Sequence, residues 1–248
     1  MRSGAQLFTL RDYMQDADGI KESLKKVKEM GYSAVQLSGI ARMDVGELRE
    51  TLDMLGLKAI CTHIPYESMK NNIDAVAAAH KTLGCEYAGV GYYKMESAEE
   101  FVNFAKEFDE LAKRYRDKGI KLTYHNHMYE FEKFGGKSGY ELLAENSNEF
   151  FFLLDTYWVQ SGGGDVAYWI KRLKDRIEII HFKDMGVHDN KQIMKEVGYG
   201  NLNWDEIIKI CEDIGVTYAF VEQDNCNGNN PFDSLKMSYD FLAGKGIK

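Results

Sequence analysis

The sequence predicts a single (β/α)8 barrel spanning residues 1–248. Short apolar, β-rich runs alternate with longer amphipathic runs, eight times over. Glycine follows at least five of the amphipathic runs, as at a helix C-cap. The 248-residue length matches one such barrel, which takes about 250 residues.

In order, the expected strands are Gly4–Leu10, Ala34–Ser38, Lys58–Thr62, Tyr87–Gly91, Lys121–His125, Phe150–Asp155, Ile177–His181 and Tyr218–Glu222. Expected helices are Ile20–Met30, Leu48–Leu55, Ile73–Leu83, Ser97–Lys118 and Trp204–Ile214. In the first of these, Leu24, Val27 and Met30 share one face, and Lys21, Lys25, Lys28 and Glu29 the other. Strands that alternate with helices argue for βαβ units and a parallel sheet, and eight units in this length argue for closure. No G-x-G-x-x-G follows the first strand, which counts against a dinucleotide-binding sheet. No linker, low-complexity stretch or charge block divides the chain.

Acidic residues outnumber Lys and Arg, 39 to 31, so the basic face that grips phosphates is not expected and nucleic acid is a poor partner. Cys61, Cys85, Cys211 and Cys226 form no C-x-x-C pair, and scattered thiols of this kind fit a reducing cytoplasm. The first residues carry no apolar signal-peptide core, and no stretch approaches 18 apolar residues, so neither export nor membrane insertion is expected. A homo-oligomer is compatible with this composition.

A barrel of this kind places its chemistry at the C-terminal ends of the strands. Gln6 lies in strand one, and His63 follows strand three. His125-Asn126-His127 ends strand five, Asp155 strand six, His181 strand seven and Glu222 strand eight, with Lys183 just beyond His181. Taken alone, a histidine here is more often a hydrogen-bonded structural residue, and an Asp or Glu is often a helix cap or a solvated loop group. Four adjacent strands ending in His, Asp, His and Glu are harder to explain one by one. Leu153-Leu154-Asp155 and Phe220-Val221-Glu222 bring carboxylates straight out of apolar runs, which is costly unless they are paired or metal-bound. Converging nitrogen and oxygen ligands suit one divalent ion, from Mn²⁺, Fe²⁺, Co²⁺ and Zn²⁺ to Mg²⁺.

These residues resemble the xylose-isomerase-like barrel superfamily, the sugar phosphate isomerase/epimerase family. Asp155-Thr156, His181-Phe182-Lys183-Asp184 and Val221-Glu222 are similar to the family's motifs at strands six, seven and eight. The resemblance implies metal ligation by His125, Asp155, His181 and Glu222, with Mn²⁺ ranked first. It also implies a sugar, keto-sugar or cyclitol substrate. The implied reaction is isomerisation or epimerisation, by proton abstraction beside a carbonyl through a metal-stabilised enediolate. Glu222 is the expected base, and His127 and Lys183 are the candidate acids. Gln6, His63 and Glu130 are candidates for binding substrate hydroxyls, and Trp158 for a flat wall against a sugar ring. This chain departs from the family pattern at His125, where many members carry Glu. That leaves Glu222 alone of the usual acid/base pair and brings the chain nearer the inosose dehydratase branch. Inosose dehydration or keto-glycoside lysis shares the same first step. An endonuclease IV-like nuclease needs more metal ligands and a basic groove, and only six histidines are present. A barrel that has lost catalysis would not need Asp155, His181 and Glu222 together.

Overall fold

The computed structural model describes residues 1–248. Eight parallel strands form its wall: β1 (Arg2–Gln6), β2 (Ala34–Leu37), β3 (Lys58–His63), β4 (Tyr87–Val90), β5 (Lys121–His125), β6 (Phe151–Leu153), β7 (Ile179–Phe182) and β8 (Tyr218–Val221). Consecutive strands pair side by side from β1 to β6, and β1 also pairs with β8, which pairs with β7. The last gap, between β6 and β7, closes through a single bridge at Asp155 and His181, where His181 N–H donates to Leu154 O at 2.9 Å. The seam of the barrel therefore lies between two of the candidate metal ligands.

The helices predicted from periodicity form at Ala17–Met30, Val45–Leu55, Ile73–Leu83, Ala98–Arg116 and Trp204–Asp213. Asp16, Asp44, Ser97 and Asn203 cap four of their N-termini with side-chain oxygens. Gly56 and Gly84 end the second and third with φ of 62° and 64°, a left-handed conformation that a Cβ disfavours. Further helices at Gly139–Glu145, Val166–Arg172 and Pro231–Gly244 had no equally regular apolar pattern.

Strand one is shorter than its apolar run. Residues Leu7–Tyr13 turn into a 3-10 helix because the Gln6 side chain accepts Phe8 N–H at 2.8 Å and stops the extended chain. A second difference is an antiparallel hairpin, Asp184–His188 with Lys191–Lys195, directly after β7. Asp189 and Asn190 sit at its tip with φ of 47° and 59°, the left-handed pair that a two-residue hairpin turn requires.

Strand periodicity positions the site. Alternate residues face the barrel interior, so Leu153 and Asp155 share a face, as do Ile179, His181 and Lys183, and Phe220 and Glu222. Ala34, Cys61, Tyr87, Leu153, Ile179 and Phe220 pack together as an apolar plug inside the barrel. The polar residues lie one or two steps further along the same strands, above that plug. No helix is long and apolar enough to cross a membrane.

Candidate metal centre

His125, Asp155, His181 and Glu222 converge at the C-terminal mouth, with one possible ligand atom from each lying within 4.8 Å of all the others. All four are buried. His125 Nε2 is 3.3 Å from Asp155 Oδ2, and His181 Nδ1 is 3.2 Å from Glu222 Oε2.

The orientation of both imidazoles shows that the residues fit a metal. His125 Nδ1 lies 3.2 Å from Gly91 O, and His181 Nε2 lies 2.7 Å from Gln36 Oε1. A carbonyl oxygen only accepts, so these ring nitrogens carry the protons and donate. In the neutral rings the opposite nitrogens then present lone pairs to the carboxylates, and His181 Nδ1 is buried with no hydrogen-bond partner. Lone pairs facing anions repel each other unless a cation sits among them. An imidazole whose outer N–H is fixed by a carbonyl is the usual arrangement of a metal-bound histidine. Two imidazoles and two carboxylates suit Mn²⁺, Fe²⁺, Co²⁺ or Zn²⁺.

The supporting structure is local. Asp155 caps the helix Thr156–Ser161: its Oδ1 accepts Trp158 N–H at 3.0 Å, which leaves Oδ2 for the cluster. Asn126 Oδ1 accepts Asp155 N–H at 3.0 Å. Gly91 lets β4 approach, because a Cβ there would meet His63 Nδ1 at 2.6 Å.

Lys183 is fully buried beside the carboxylates, 3.2 Å from Glu222 and 3.5 Å from Asp155, and it also pairs with Asp224. Burial would lower its pKa, but the three carboxylates raise it further, so it stays protonated. Burial likewise pushes Glu222 and Asp155 upward, yet the Lys183 charge outweighs it and both lie well below the usual carboxylate range; Glu222 and Asp155 in turn raise His181 against its burial, so with no metal ion bound the centre favours a proton on that ring. Asp224 moves up, through burial and the neighbouring Glu222 charge. His127 is pushed down to about 3 by burial, by His125 and by Lys183, so it is a neutral imidazole. His63 is likewise held neutral, by burial and by His125 and His181.

A cavity of about 430 Å³ opens onto the cluster. Its wall includes His63, His125, His127, Glu222 and Asp224, with Phe8, Ile64, Pro65 and Tyr92 toward the outside. His63 Nε2 and His127 Nδ1 are buried without a partner in the protein, which suits them to ligand hydroxyls. Trp158 lies behind His127, with ring centroids 5.2 Å apart, and under Lys183.

Three expected substrate contacts are placed elsewhere: Trp158 stands behind His127 and is not part of the cavity wall, and neither are Glu130 and Gln6. Glu130 is fully buried outside the cavity wall, accepting Tyr124 O–H at 2.7 Å and His127 N–H at 2.9 Å. It sits in a turn that carries it away from the mouth, and it fixes the loop bearing His127. Gln6 is also fully buried, with its side-chain oxygen engaged by Phe8 N–H. Lys183 does not reach the cavity wall either, and acts as a counter-ion. Asp184 pairs with the loop rather than with Lys183. It accepts N–H groups from Met185, Gly198 and Gly200 and the Trp204 indole N–H at 2.6 Å. The residue that sequence reasoning missed is Gln36. Its only signal was a polar residue inside the apolar run Ala34–Leu37.

The fold is a (β/α)8 barrel whose buried cluster could hold a divalent metal ion, and the family model for the xylose isomerase-like TIM barrel matches residues 24–243. The chain belongs to that family. It is 32% identical over 112 residues to an inosose dehydratase of Mesomycoplasma hyopneumoniae (strain 7448), a match that covers 45% of this chain and 36% of that protein. The chain thus spans about a third of the length of that relative. A crystal structure of a sugar phosphate isomerase/epimerase from Parabacteroides distasonis ATCC 8503 superposes with a TM-score of 0.83, at 23% identity, over 98% of both chains. The IolI protein with a bound zinc atom superposes with a TM-score of 0.72, at 15% identity, over 98% of this chain and 97% of that one. At such identities the two structures show the shared fold.

Proposed function

We propose that the chain is a divalent-metal-dependent enzyme that moves a proton on a carbon beside the carbonyl of a sugar, keto-sugar or cyclitol. The observation that carries this reading is the pair of outward-donating imidazoles, His125 and His181, aimed with Asp155 and Glu222 at one centre on the cavity floor. A divalent ion bound there, Mn²⁺ first and Zn²⁺, Fe²⁺, Co²⁺ or Mg²⁺ as alternatives, supplies Lewis-acid stabilisation of the negative charge that develops on oxygen.

The protein residues do the rest. Glu222 is ionised, lies on the cavity wall and takes the proton from carbon. Lys183 holds that carboxylate in place through an ion pair. His63 and His127, both neutral, orient substrate hydroxyls. With its low pKa, His127 serves as a hydrogen-bond donor or acceptor rather than as an imidazolium acid. Return of the proton gives isomerisation or epimerisation.

One observation favours a second outcome. Both carboxylates on the cavity wall, Glu222 and Asp224, come from the end of β8, whereas His125 and His127 come from β5 across the barrel. Two-faced epimerisation needs a proton-transfer group on each side, so loss of a neighbouring hydroxyl, as in the dehydratase relative, fits this one-sided arrangement. Nucleic acid is not a substrate on either reading.

The test is exchange of the substrate's α-proton with deuterated solvent, followed by NMR on Mn²⁺-loaded protein with a panel of keto-sugars and inososes. Glu222→Gln should abolish exchange. Wild-type exchange in that variant, or no exchange by wild-type protein on any member of the panel, would overturn the proposal.

A further inference from the structure

We infer that the cavity takes a substrate of two parts, a polyhydroxylated ring on the floor and a flat apolar substituent, such as an aryl aglycone, against Phe8, Ile64, Pro65 and Tyr92. This rests on the reading of the floor as a carbohydrate site.

The cavity is divided by chemistry. Its polar wall is His63, His125, His127, Glu222 and Asp224, of which His125 and Glu222 are buried, and its apolar wall is Phe8, Ile64, Pro65 and Tyr92, of which Pro65 and Tyr92 are exposed. At about 430 Å³ it falls within the ~300–1,000 Å³ of sites for drug-sized ligands, so a bare sugar would leave the outer half to water. The outer half holds no cation for a phosphate. No Lys or Arg lines it, and the nearby Arg11 already donates to Phe8 O at 2.9 Å and Asp224 O at 3.0 Å.

The apolar wall is also braced rather than loose. The Arg11 guanidinium lies over Phe8, 4.5 Å from its centroid, and a Cβ at Gly39 would meet Phe8 Cδ2 at 2.6 Å. Tyr92 is 59% exposed, yet its ring stands edge-on against His127 and Tyr129, with centroids 5.4 and 5.8 Å away. A large aromatic held still at a polar mouth exposes apolar area that water solvates poorly and that a flat ring would cover. Because Tyr92 touches His127, the substituent would lie next to the ring whose hydroxyls His127 orients.

The experiment is calorimetric titration of Mn²⁺-loaded protein with methyl and phenyl glucosides, both anomers. Phenyl glucoside should bind about tenfold tighter than methyl glucoside. Tyr92→Ala should remove most of that difference, and Tyr92→Phe should restore it. Equal affinities, no binding of either glucoside, or a preference that survives Tyr92→Ala would overturn the inference. The α-proton exchange of free keto-sugars separates the two readings. Exchange without phenyl preference sinks the substituent subsite alone, and absence of exchange with phenyl preference sinks the carbohydrate chemistry.

Discussion

Gln36 offers the sharpest test of the metal centre, because it touches no ligand of the substrate and fixes only one imidazole. It is fully buried in β2, and its Oε1 accepts His181 Nε2–H at 2.7 Å. Gln36→Leu keeps the volume roughly constant and removes the acceptor. The His181 N–H is then buried without a partner, which costs ~1–3 kcal/mol, and the ring is free to present the wrong tautomer to the ion. Loss of such an outer partner lowers metal affinity ~10–100-fold, which corresponds to ~1.4–2.8 kcal/mol. The two magnitudes agree, so we expect Mn²⁺ and Zn²⁺ to bind ~10–100-fold more weakly. Chelator competition on wild type, Gln36→Leu and Gln36→Glu measures this directly. Gln36→Glu retains an acceptor and should keep most of the affinity. A folded Gln36→Leu variant within twofold of wild type would show that Gln36 does not set the His181 tautomer, and would remove the main argument that the cluster is built for a metal.

Two further predictions concern the scaffold. The Glu130 carboxyl is pushed up from 4.5 to about 7 by burial, against its hydrogen bonds from Tyr124 and His127. A folded-state pKa raised in this way gives stability that is complete below about 4.5 and lost as pH rises through about 7, worth about 3 kcal/mol. Glu130→Gln cannot lose a proton, so its urea-unfolding free energy should gain on wild type by that amount between pH 4.5 and 8. A pH-independent difference would refute this. Asp184→Ala leaves the backbone N–H groups of Gly198 and Gly200 and the Trp204 indole N–H without their acceptor, and should cost at least ~3 kcal/mol in chemical unfolding. A midpoint unchanged from wild type would show that solvent replaces the carboxylate.

How much of this the sequence disclosed depends on how far each residue's partner lies along the chain. Asp155 and Glu222 were legible because a carboxylate after Leu153-Leu154 or Phe220-Val221 conflicts with its own strand. The conflict needs no knowledge of the fold. Gln36 creates no conflict, and its partner His181 is 145 residues away, known only once the barrel closes. Glu130 misled for the opposite reason. It is expected to bind substrate hydroxyls and lies three residues from His127, but the 3-10 turn Tyr129–Phe131 rotates it inward while His127 stays at the cavity. Leu7–Leu10 reads as a continuation of β1, and only the Gln6 cap turns it aside. The hairpin after β7 was readable in principle, since Asp189-Asn190 is a strong two-residue turn.

The same geometry bears on how the barrel closes. Asp155, Glu222 and Asp224 set three carboxylates around one ammonium, Lys183, in a region shielded from water. With all three ionised the group carries two excess negative charges, the charge a divalent ion neutralises. Burial and the Glu222 charge raise the Asp224 pKa, while Lys183 opposes them. Asp155 and His181 are also the residues that bridge β6 to β7, where every other neighbouring strand pair shares a longer ladder. A cation bound between them would cross-link the two strands at the wall's shortest ladder. Metal affinity and barrel stability are then two measures of one interaction, coupled by mass action because the unfolded chain does not assemble the four ligands.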